Sequence, residues 1–142
     1  MRSVAIADHS PLYLDASAIV KLIAEEPESA ELIEAVTDGR LVSSELAIAE
    51  VPRAVRRIER GDPVDLIARA DAVLATLALV PVGRDVLTLA GAFTTPTLRA
   101  LHAVHVASSL LLDDLGLFIS YDARQLRAAA EAGLAIASPG RS

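Results

Sequence analysis

A short apolar segment that ends on a carboxylate constrains the fold of this chain more than any other feature. Residues 12–18 read Leu-Tyr-Leu-Asp-Ala-Ser-Ala, and the carboxylate is Asp15. Buried strands of parallel sheets are continuous apolar runs, and ligands of such sheets bind beyond the carboxyl ends of the strands. Asp15 is therefore placed for chemistry, although a turn or a helix N-cap would also explain an aspartate here.

Strand and helix patterns alternate along the rest of the chain. Apolar runs predict further strands at residues 41–43, at the end of 77–82, at 117–121 and at 134–137. Segments typical of helices lie around them, at residues 18–25, 28–36, 45–60, 64–77, 85–92, 98–112 and 123–132. No hairpin signal such as Asn-Gly joins two strands. The order therefore predicts an α/β fold in which helices cover both faces of a parallel sheet.

Several polar residues and one proline are predicted to shape the helices. Ser44 and Thr97 are placed to cap the helices that follow them. Asp62 precedes Pro63, a pair typical of an N-cap followed by the first helical residue. Pro52 lies in the middle of a predicted helix, where a proline removes a hydrogen bond, so a kink or a restart of the helix is expected there.

Length and composition predict a single domain. The chain has 142 residues, of which residues 1–11 are predicted to be an N-terminal extension and residues 138–142 a polar tail. No apolar run approaches the roughly 18 residues of a membrane span. The absence of cysteine fits a reducing compartment, and a cytoplasmic location is predicted. The formal charge of −6 argues against a protein that coats nucleic acid, but not against a nuclease whose acids bind cations.

Three acids are candidates for one shared site. Asp15 and Asp122 each follow an apolar strand, and parallel strands bring their carboxyl ends to the same edge of a sheet. Glu50 lies in the apolar stretch Leu-Ala-Ile-Ala-Glu-Val, where a carboxylate is costly unless it is paired or binds a cation. The alternative for Glu50 is an ion pair with Arg53, three residues later.

Basic and imidazole side chains accompany these acids. Arg53 and Arg57 share about the same predicted helix face as Glu50, so they are candidates for binding phosphates, although such a run is usually a solvated face. His102 and His105 are three residues apart on one predicted helix. That spacing suits two metal ligands, whereas His105 within an apolar stripe also suits a hydrogen-bonded core residue.

Four segments in this order resemble the successive motifs of PIN-domain ribonucleases. They are Leu-Tyr-Leu-Asp15-Ala-Ser-Ala-Ile-Val-Lys, Ser-Ser-Glu-Leu-Ala-Ile-Ala-Glu50-Val-Pro-Arg-Ala, Leu-Arg-Ala-Leu-His102-Ala-Val-His105-Val-Ala and Phe-Ile-Ser-Tyr-Asp122. The resemblance is in particular to the VapC-type toxins of bacterial and archaeal toxin–antitoxin systems, and it extends from about Leu12 to Ala137. It implies a compact three-layer α/β/α sandwich with a central, mainly parallel sheet.

The resemblance also implies an activity, which is metal-dependent endonucleolytic cleavage of single-stranded RNA. Asp15, Glu50 and Asp122 match the first, second and fourth acidic positions of the family, and are the implied catalytic residues and metal ligands. His102 stands where the family has its third acid, and is the remaining implied ligand. Because a nitrogen replaces a hard anionic oxygen, Mg²⁺ should bind more weakly and Mn²⁺ relatively better.

Partners and alternatives follow from the same comparison. The resemblance implies a homodimer and a cognate, VapB-like antitoxin whose segment lies across the active-site groove. In the alternative reading, His102 makes the chain a catalytically weakened PIN-fold protein that acts mainly by binding its antitoxin. A receiver module would need an acidic pair after the first strand and a lysine after the last, and neither is present. A phosphatase with Asp-x-Asp would need an aspartate in place of Ser17.

Overall fold

The computed structural model describes residues 10–141 and contains five strands and seven helices in that range. The strands are β1 (Pro11–Leu14), β2 (Arg40–Ser44), β3 (Ala78–Val80), β4 (Leu117–Ile119) and β5 (Ile136–Ala137). The helices are α1 (Ala16–Ile23), α2 (Ser29–Val36), α3 (Ala47–Val55), α4 (Pro63–Ala75), α5 (Arg84–Gly91), α6 (Ala100–Leu110) and α7 (Ala123–Glu131). None of these helices is both long enough and apolar enough to cross a membrane. Residues 1–9 of the predicted N-terminal extension lie outside the described residues, and the prediction was wrong at residue 11, because Pro11 is buried and begins β1.

The sheet is parallel throughout, and its centre is the first strand. The strand order is β3-β2-β1-β4-β5, and every neighbouring pair is parallel. Leu14 at the end of β1 lies opposite Ile119 at the end of β4. Asp15 and Ser120, the next residue on each side, therefore leave the sheet side by side. The α/β fold predicted from the sequence is confirmed.

Helices bury the central strand on both faces, which gives three layers. Successive side chains of a strand point to opposite faces. Leu12 and Leu14 accordingly join an apolar cluster with α1, α2, α3 and α4. Tyr13 points the other way, into a cluster that contains Val106 of α6 and Phe118 of β4. The short apolar run of β1 is continuous because both of its faces are covered.

The start of α1 differs from the sequence prediction because a cap acts earlier. The helix begins at Ala16 rather than at residue 18, since the Asp15 side chain accepts a hydrogen bond from the Ala18 amide and serves as the N-cap. The capping interpretation of Asp15 is thus confirmed. It does not exclude a second role, because a carboxylate has two oxygens with about four lone-pair sites.

Helix α3 is shorter than predicted. It ends at Val55 rather than at residue 60, and it continues through Pro52 without a restart. Beyond Val55, the amides of Arg57 and Ile58 bond to carbonyls three residues back instead of four. Such bonds tighten the last turn of a helix and end its α-helical geometry.

The two hydroxyl caps that were predicted form no N-cap. Thr97 lies in a turn closed by a hydrogen bond from the Leu98 amide to the Thr95 carbonyl, so α6 begins later, at Ala100, with no side-chain cap. The prediction for Thr97 was therefore wrong. The Ser44 hydroxyl accepts a hydrogen bond from the Leu46 amide at 3.1 Å, which supports the turn before α3 rather than the helix itself.

Asp62 caps α4 as predicted, and its carboxylate accepts a hydrogen bond from the Val64 amide at 2.9 Å. We expect Asp62→Ala to lower the free energy of unfolding by about 1 kcal/mol, because the amide loses its partner. Urea denaturation measures the loss. Asp71→Ala, at an exposed position in the same helix, is the control and should change stability by less than about 0.5 kcal/mol. Equal losses in both variants would contradict the capping role.

The predicted polar tail is bound to the body of the protein over residues 138–141. The Tyr121 hydroxyl donates to the Pro139 carbonyl at 2.7 Å, and the Arg141 guanidinium donates to the Tyr121 carbonyl at 2.8 Å and to Glu28 at 3.1 Å. Burial and the nearby Glu28 carboxylate raise the pKa of Tyr121 to about 12, so its hydroxyl stays a donor. Lys21 lies over the face of the same ring, 4.7 Å from its centre. The tail thus holds Tyr121, the residue before Asp122, in position.

Candidate active site

Asp15 is fully buried, and its carboxylate accepts four hydrogen bonds. The Ser17 hydroxyl and the Ala18 amide donate to Oδ1 at 2.6 and 3.0 Å. The Ser120 hydroxyl and the Gln125 amide donate to Oδ2 at 2.6 and 2.8 Å. Donors from α1 and from the segment after β4 therefore hold the carboxylate in one orientation.

Asp122 caps α7 at the same edge of the sheet. Its Oδ1 accepts hydrogen bonds from the backbone amides of Arg124 and Gln125, and the His102 Nε2 lies 3.7 Å from Oδ2. Burial alone would raise the pKa of Asp122. The Gln125 amide, the Arg124 side chain and His102 outweigh that effect and hold the pKa below the usual 3.8. The carboxylate is thereby kept charged in mildly acidic solution.

This lowered pKa predicts how the stability contribution of Asp122 depends on pH. A group whose pKa is lower in the folded protein stabilises it above the pKa of the unfolded chain, about 4, and loses that effect as the pH falls through the folded value. We therefore expect the stability difference between the wild type and Asp122→Asn to shrink on acidification from about pH 6 to about pH 3. Urea unfolding at a series of pH values measures it, and a difference that stays constant would contradict the assignment.

Two side chains connect Asp15 with Asp122. The Ser120 hydroxyl donates to Asp15 and accepts from the Asp122 amide at 3.0 Å. Gln125 donates to Asp15 through its side chain and to Asp122 through its backbone amide at 3.2 Å. The structure therefore brings together the two strand-end aspartates that the sequence predicted. The sequence prediction missed Ser120 and Gln125, whose only signal was their position next to Asp122.

Glu50 is bonded to a histidine rather than to the arginine that was considered for it. The His105 Nε2 lies 2.6 Å from Glu50 Oε1. The alternative of an ion pair with Arg53 is therefore wrong, and Arg53 has no ion pair to another residue that the structure describes. The interpretation of His105 as a hydrogen-bonded core residue is confirmed, since it is buried and bonded at both ring nitrogens.

Glu50 faces a groove of about 350 Å³ between α3 and α6, which we call the α3–α6 groove. Its lining residues are Ala16, Leu46, Ala49, Glu50, Arg53, Ala54, Arg57 and Leu101. Ala16 is the neighbour of Asp15, so the groove leads from the end of β1 along one face of α3. Both arginines that were predicted to bind phosphate lie in its wall. The groove thus combines acidic, basic and apolar surface.

The four predicted metal ligands are not assembled into a finished site. Within residues 10–141, no group of three or more His, Asp or Glu side chains is arranged to hold a metal ion. Two buried polar atoms, His102 Nδ1 and Gln125 Oε1, nevertheless lack a hydrogen-bond partner. Unpaired buried atoms of this kind are expected where water or an ion completes the bonding. Carboxylate oxygens and an imidazole nitrogen near Asp122 are donor types that a divalent cation preferring oxygen and tolerating nitrogen binds, so the chemistry of these side chains suits such an ion although their arrangement does not yet enclose one.

Comparison of the sequence with models of known protein families identifies the class to which this protein belongs. A sequence model described as PIN domain matches residues 12–131. The chain belongs to the PIN-domain family.

Curated relatives within that class are named ribonucleases. The chain is 42% identical over 130 residues to Ribonuclease VapC46 of Mycobacterium tuberculosis (strain ATCC 25618 / H37Rv), an alignment that covers 90% of this chain and 97% of the relative. It is 34% identical over 135 residues to Ribonuclease VapC47 of Mycobacterium tuberculosis (strain CDC 1551 / Oshkosh), which covers 91% and 97%. The resemblance inferred from the four motifs is confirmed.

A solved structure has a similar fold. It is described as the crystal structure of VapBC2 from Rickettsia felis bound to a DNA fragment from their promoter. The match has a TM-score of 0.58 at 11% sequence identity and covers 91% of this chain and 98% of that one. At that identity the similarity concerns the fold alone, and it agrees with the predicted α/β/α sandwich.

Proposed function

We propose that this protein is an endoribonuclease, the toxin of a toxin–antitoxin system, which cleaves single-stranded RNA in the cytoplasm with the help of a divalent cation. The observation that carries the proposal is the joining of Asp15 and Asp122 through Ser120 and Gln125, in a chain 42% identical to a protein named ribonuclease. Relatives with that name favour catalysis over a protein that only binds its antitoxin.

The proposed cation would be held by Asp15 and Asp122, with Glu50 and His102 as the remaining ligands. Mg²⁺ or Mn²⁺, when bound, supplies Lewis acidity and lowers the pKa of a water molecule. The nitrogen of His102 in place of a carboxylate favours Mn²⁺ over Mg²⁺. Ser120 and Gln125 hold Asp15, so they orient this carboxylate toward Asp122.

The residues of this chain then place the RNA and move the proton. Glu50 has one oxygen bonded to His105, and its second oxygen would either bind the cation or orient the attacking water and accept its proton. Proton transfer by a positioned carboxylate typically contributes 10²- to 10⁴-fold to a rate. Arg53 and Arg57 in the wall of the α3–α6 groove would bind phosphates of the RNA backbone.

The contribution of the groove arginines can be measured by RNA binding. We expect Arg53→Ala to weaken binding of a single-stranded RNA and to reduce the salt dependence of log K by about one phosphate contact. Arg69→Ala, an exposed change on α4, is the matched control for the lost charge. Fluorescence anisotropy at several salt concentrations measures both variants. Identical behaviour of the two variants would mean that Arg53 acts only through net charge.

We propose two protein partners for the surface of this chain. The α3–α6 groove is assigned to a segment of a VapB-like antitoxin, because Leu101, 51% exposed, lies beside its acidic and basic residues. A second copy of the chain is the other partner, the homodimer that the resemblance to VapC-type toxins implies; Val64 and Leu87, 78% and 52% exposed, are apolar side chains that such a contact could cover. Light scattering of the purified chain tests the homodimer, and a monodisperse monomer would overturn it.

The proposed activity is tested by incubating the purified chain with a labelled single-stranded RNA and its double-stranded counterpart. Cleavage of the single strand is expected with Mg²⁺ or Mn²⁺, and a chelator should stop it until the metal is restored. Asp15→Asn, purified in parallel, is the control for contaminating nucleases. Cleavage that survives in this variant, or no cleavage by the wild type with either metal, would overturn the proposal.

A further inference from the structure

A buried chain of hydrogen bonds connects the central strand to Glu50. The Tyr13 hydroxyl lies 2.8 Å from the His105 Nδ1, and the His105 Nε2 lies 2.6 Å from Glu50 Oε1. Tyr13 is 0% exposed and His105 is 1% exposed, whereas Glu50 reaches the α3–α6 groove. This series of hydrogen bonds therefore begins at Tyr13 in the core and ends on the Glu50 carboxylate, which borders the groove.

Aromatic packing fixes the buried end of this chain. The ring of Tyr13 stacks on Phe118 with centroids 5.3 Å apart and planes 6° from parallel. The ring of His105 meets Tyr13 edge-on, at 5.9 Å and 74°. Tyr13 and Phe118 are also register partners on the adjacent strands β1 and β4. The phenol thus has a position determined by the sheet, and His105 takes its orientation from the phenol.

The donors and acceptors along the chain can be assigned from chemistry. Burial raises the pKa of Tyr13 well above its usual value, so the phenol keeps its proton. The two serine hydroxyls near the phenol, those of Ser43 and Ser108, give their protons to the backbone carbonyls of Leu14 and Val104 and not to the phenol oxygen. A carboxylate offers only acceptors, so His105 must donate to Glu50 through Nε2. The other ring nitrogen, Nδ1, lies 2.8 Å from the phenol oxygen, so the Tyr13 hydroxyl holds the far edge of the ring.

We propose that Tyr13 and His105 are positioning residues that hold Glu50 for RNA cleavage. His105 ties Oε1 of Glu50 toward the core, and the other carboxylate oxygen is thereby presented to the substrate. Tyr13 holds the His105 ring in the orientation that makes this bond. This role rests on the proposed ribonuclease activity and adds two residues that touch neither the RNA nor a cation.

The same helix also extends this arrangement to Asp122. His102 and His105 are three residues apart on α6, so they lie on the same side of the helix. His102 Nε2 lies 3.7 Å from Asp122 Oδ2, while His105 contacts Glu50. Neighbouring histidines on one helix thus lie beside two acids that come from different elements, Glu50 of α3 and Asp122 at the start of α7.

A pair of amide substitutions at residue 105 separates positioning from general stability. The side-chain amide of glutamine reaches the place of Nε2, whereas that of asparagine reaches only the place of Nδ1. We expect His105→Asn to lower kcat about 10²-fold with KM changed less than about twofold, because only Glu50 loses its partner. His105→Gln should recover kcat to within about tenfold of the wild type.

Two further measurements keep the proposal falsifiable if the amide variants are unstable. Tyr13→Phe removes only a hydroxyl and should lower kcat about tenfold at unchanged KM. In the Glu50→Gln background, His105→Asn should lower kcat by less than about twofold, because a residue that acts through Glu50 has nothing left to position. A third measurement is spectroscopic: imidazole ¹⁵N spectra of the metal-free wild type should show His105 protonated at Nε2.

The outcomes distinguish this proposal from the proposed activity. If the wild type cleaves RNA, Asp15→Asn does not, and both amide variants lose kcat equally or in proportion to their melting temperatures, the positioning role is overturned while the ribonuclease stands. A His105 ring that carries no proton on Nε2 also overturns it, because such a ring cannot donate to Glu50. If the wild type cleaves no RNA, the activity itself has failed and the positioning role fails with it.

Discussion

Asp15→Asn is expected to lower the rate of RNA cleavage by about 10³-fold or more while the protein stays folded. The change removes one negative charge from the proposed cation site, and the charge stabilisation lost there is worth several kcal/mol of the barrier. The carboxylate accepts four hydrogen bonds in the structure, from Ser17, Ala18, Ser120 and Gln125, which hold it in place. Initial rates on a single-stranded RNA measure the loss.

The stability of this variant follows from the same four hydrogen bonds. Donors bond to both oxygens of Asp15, so the NH₂ of an asparagine would face donors in either orientation of its amide. A buried donor that loses its acceptor lowers the free energy of unfolding by about 1–3 kcal/mol. The amide of Gln125 can turn over, however, and its unpaired Oε1 would then accept from the new NH₂. We therefore expect a loss near the lower end of that range, measured by urea unfolding.

Ser120→Ala is the matched control for Asp15→Asn. It removes one hydrogen bond to the same carboxylate and leaves the charge in place. We expect a similar loss of stability, about 1–2 kcal/mol, with cleavage within about tenfold of the wild type. If both variants lose activity equally, the charge of Asp15 has no special part in the reaction.

His102→Asp is expected to raise the affinity for Mg²⁺ by about tenfold or more, because a hard anionic ligand replaces a borderline nitrogen. The His102 ring lies 3.7 Å from Asp122, so a carboxylate at this position repels Asp122 when no cation is present. The metal-free variant should therefore be less stable than the wild type. Added Mg²⁺ should raise its melting temperature more, since tenfold tighter binding adds about 1.4 kcal/mol at saturating metal.

Cleavage rates in the two metals complete this test. The wild type should be more active with Mn²⁺ than with Mg²⁺, and His102→Asp should reduce that preference. His102→Asn supplies a neutral oxygen at the same position and is the control for charge. If the wild type and His102→Asp have equal melting-temperature shifts and equal rates in Mg²⁺, residue 102 is not a ligand.

The sequence was sufficient to predict the sheet and the two strand-end aspartates. Parallel strands place their carboxyl ends at one edge, so Asp15 and Asp122 could be assigned to the same edge from the sequence, whereas the pairing of β1 with β4 that brings them close is known only from the structure. Ser120, Gln125 and His105 could not be predicted in the same way, because their partners lie 105, 110 and 55 residues away. Such side-chain hydrogen bonds depend on tertiary packing.

Two predictions made from the local sequence, for Thr97 and for Glu50, were wrong. Thr97 is a residue type that often caps helices. It instead lies in a turn closed by the hydrogen bond between Leu98 and Thr95, just before α6. Glu50 and Arg53 have the spacing of an ion pair, but His105 from a distant helix competes for the carboxylate and is buried against it. At Thr97 the competing hydrogen bond is in the adjacent turn, and at Glu50 it comes from a distant helix. In both cases that bond, rather than the local sequence pattern, determined the structure.

The pairing of β1 with β4 affects when a newly made chain can become active. Leu14 and Ile119 are partners at opposite ends of the polypeptide, and Asp15 receives two of its four hydrogen bonds from residues 120 and 125. Contacts between such distant segments form only after both have been synthesised. A ribosome that is translating this chain therefore carries Asp15 without these two hydrogen bonds at least until residue 125 has been synthesised, so the proposed active site is incomplete up to that point.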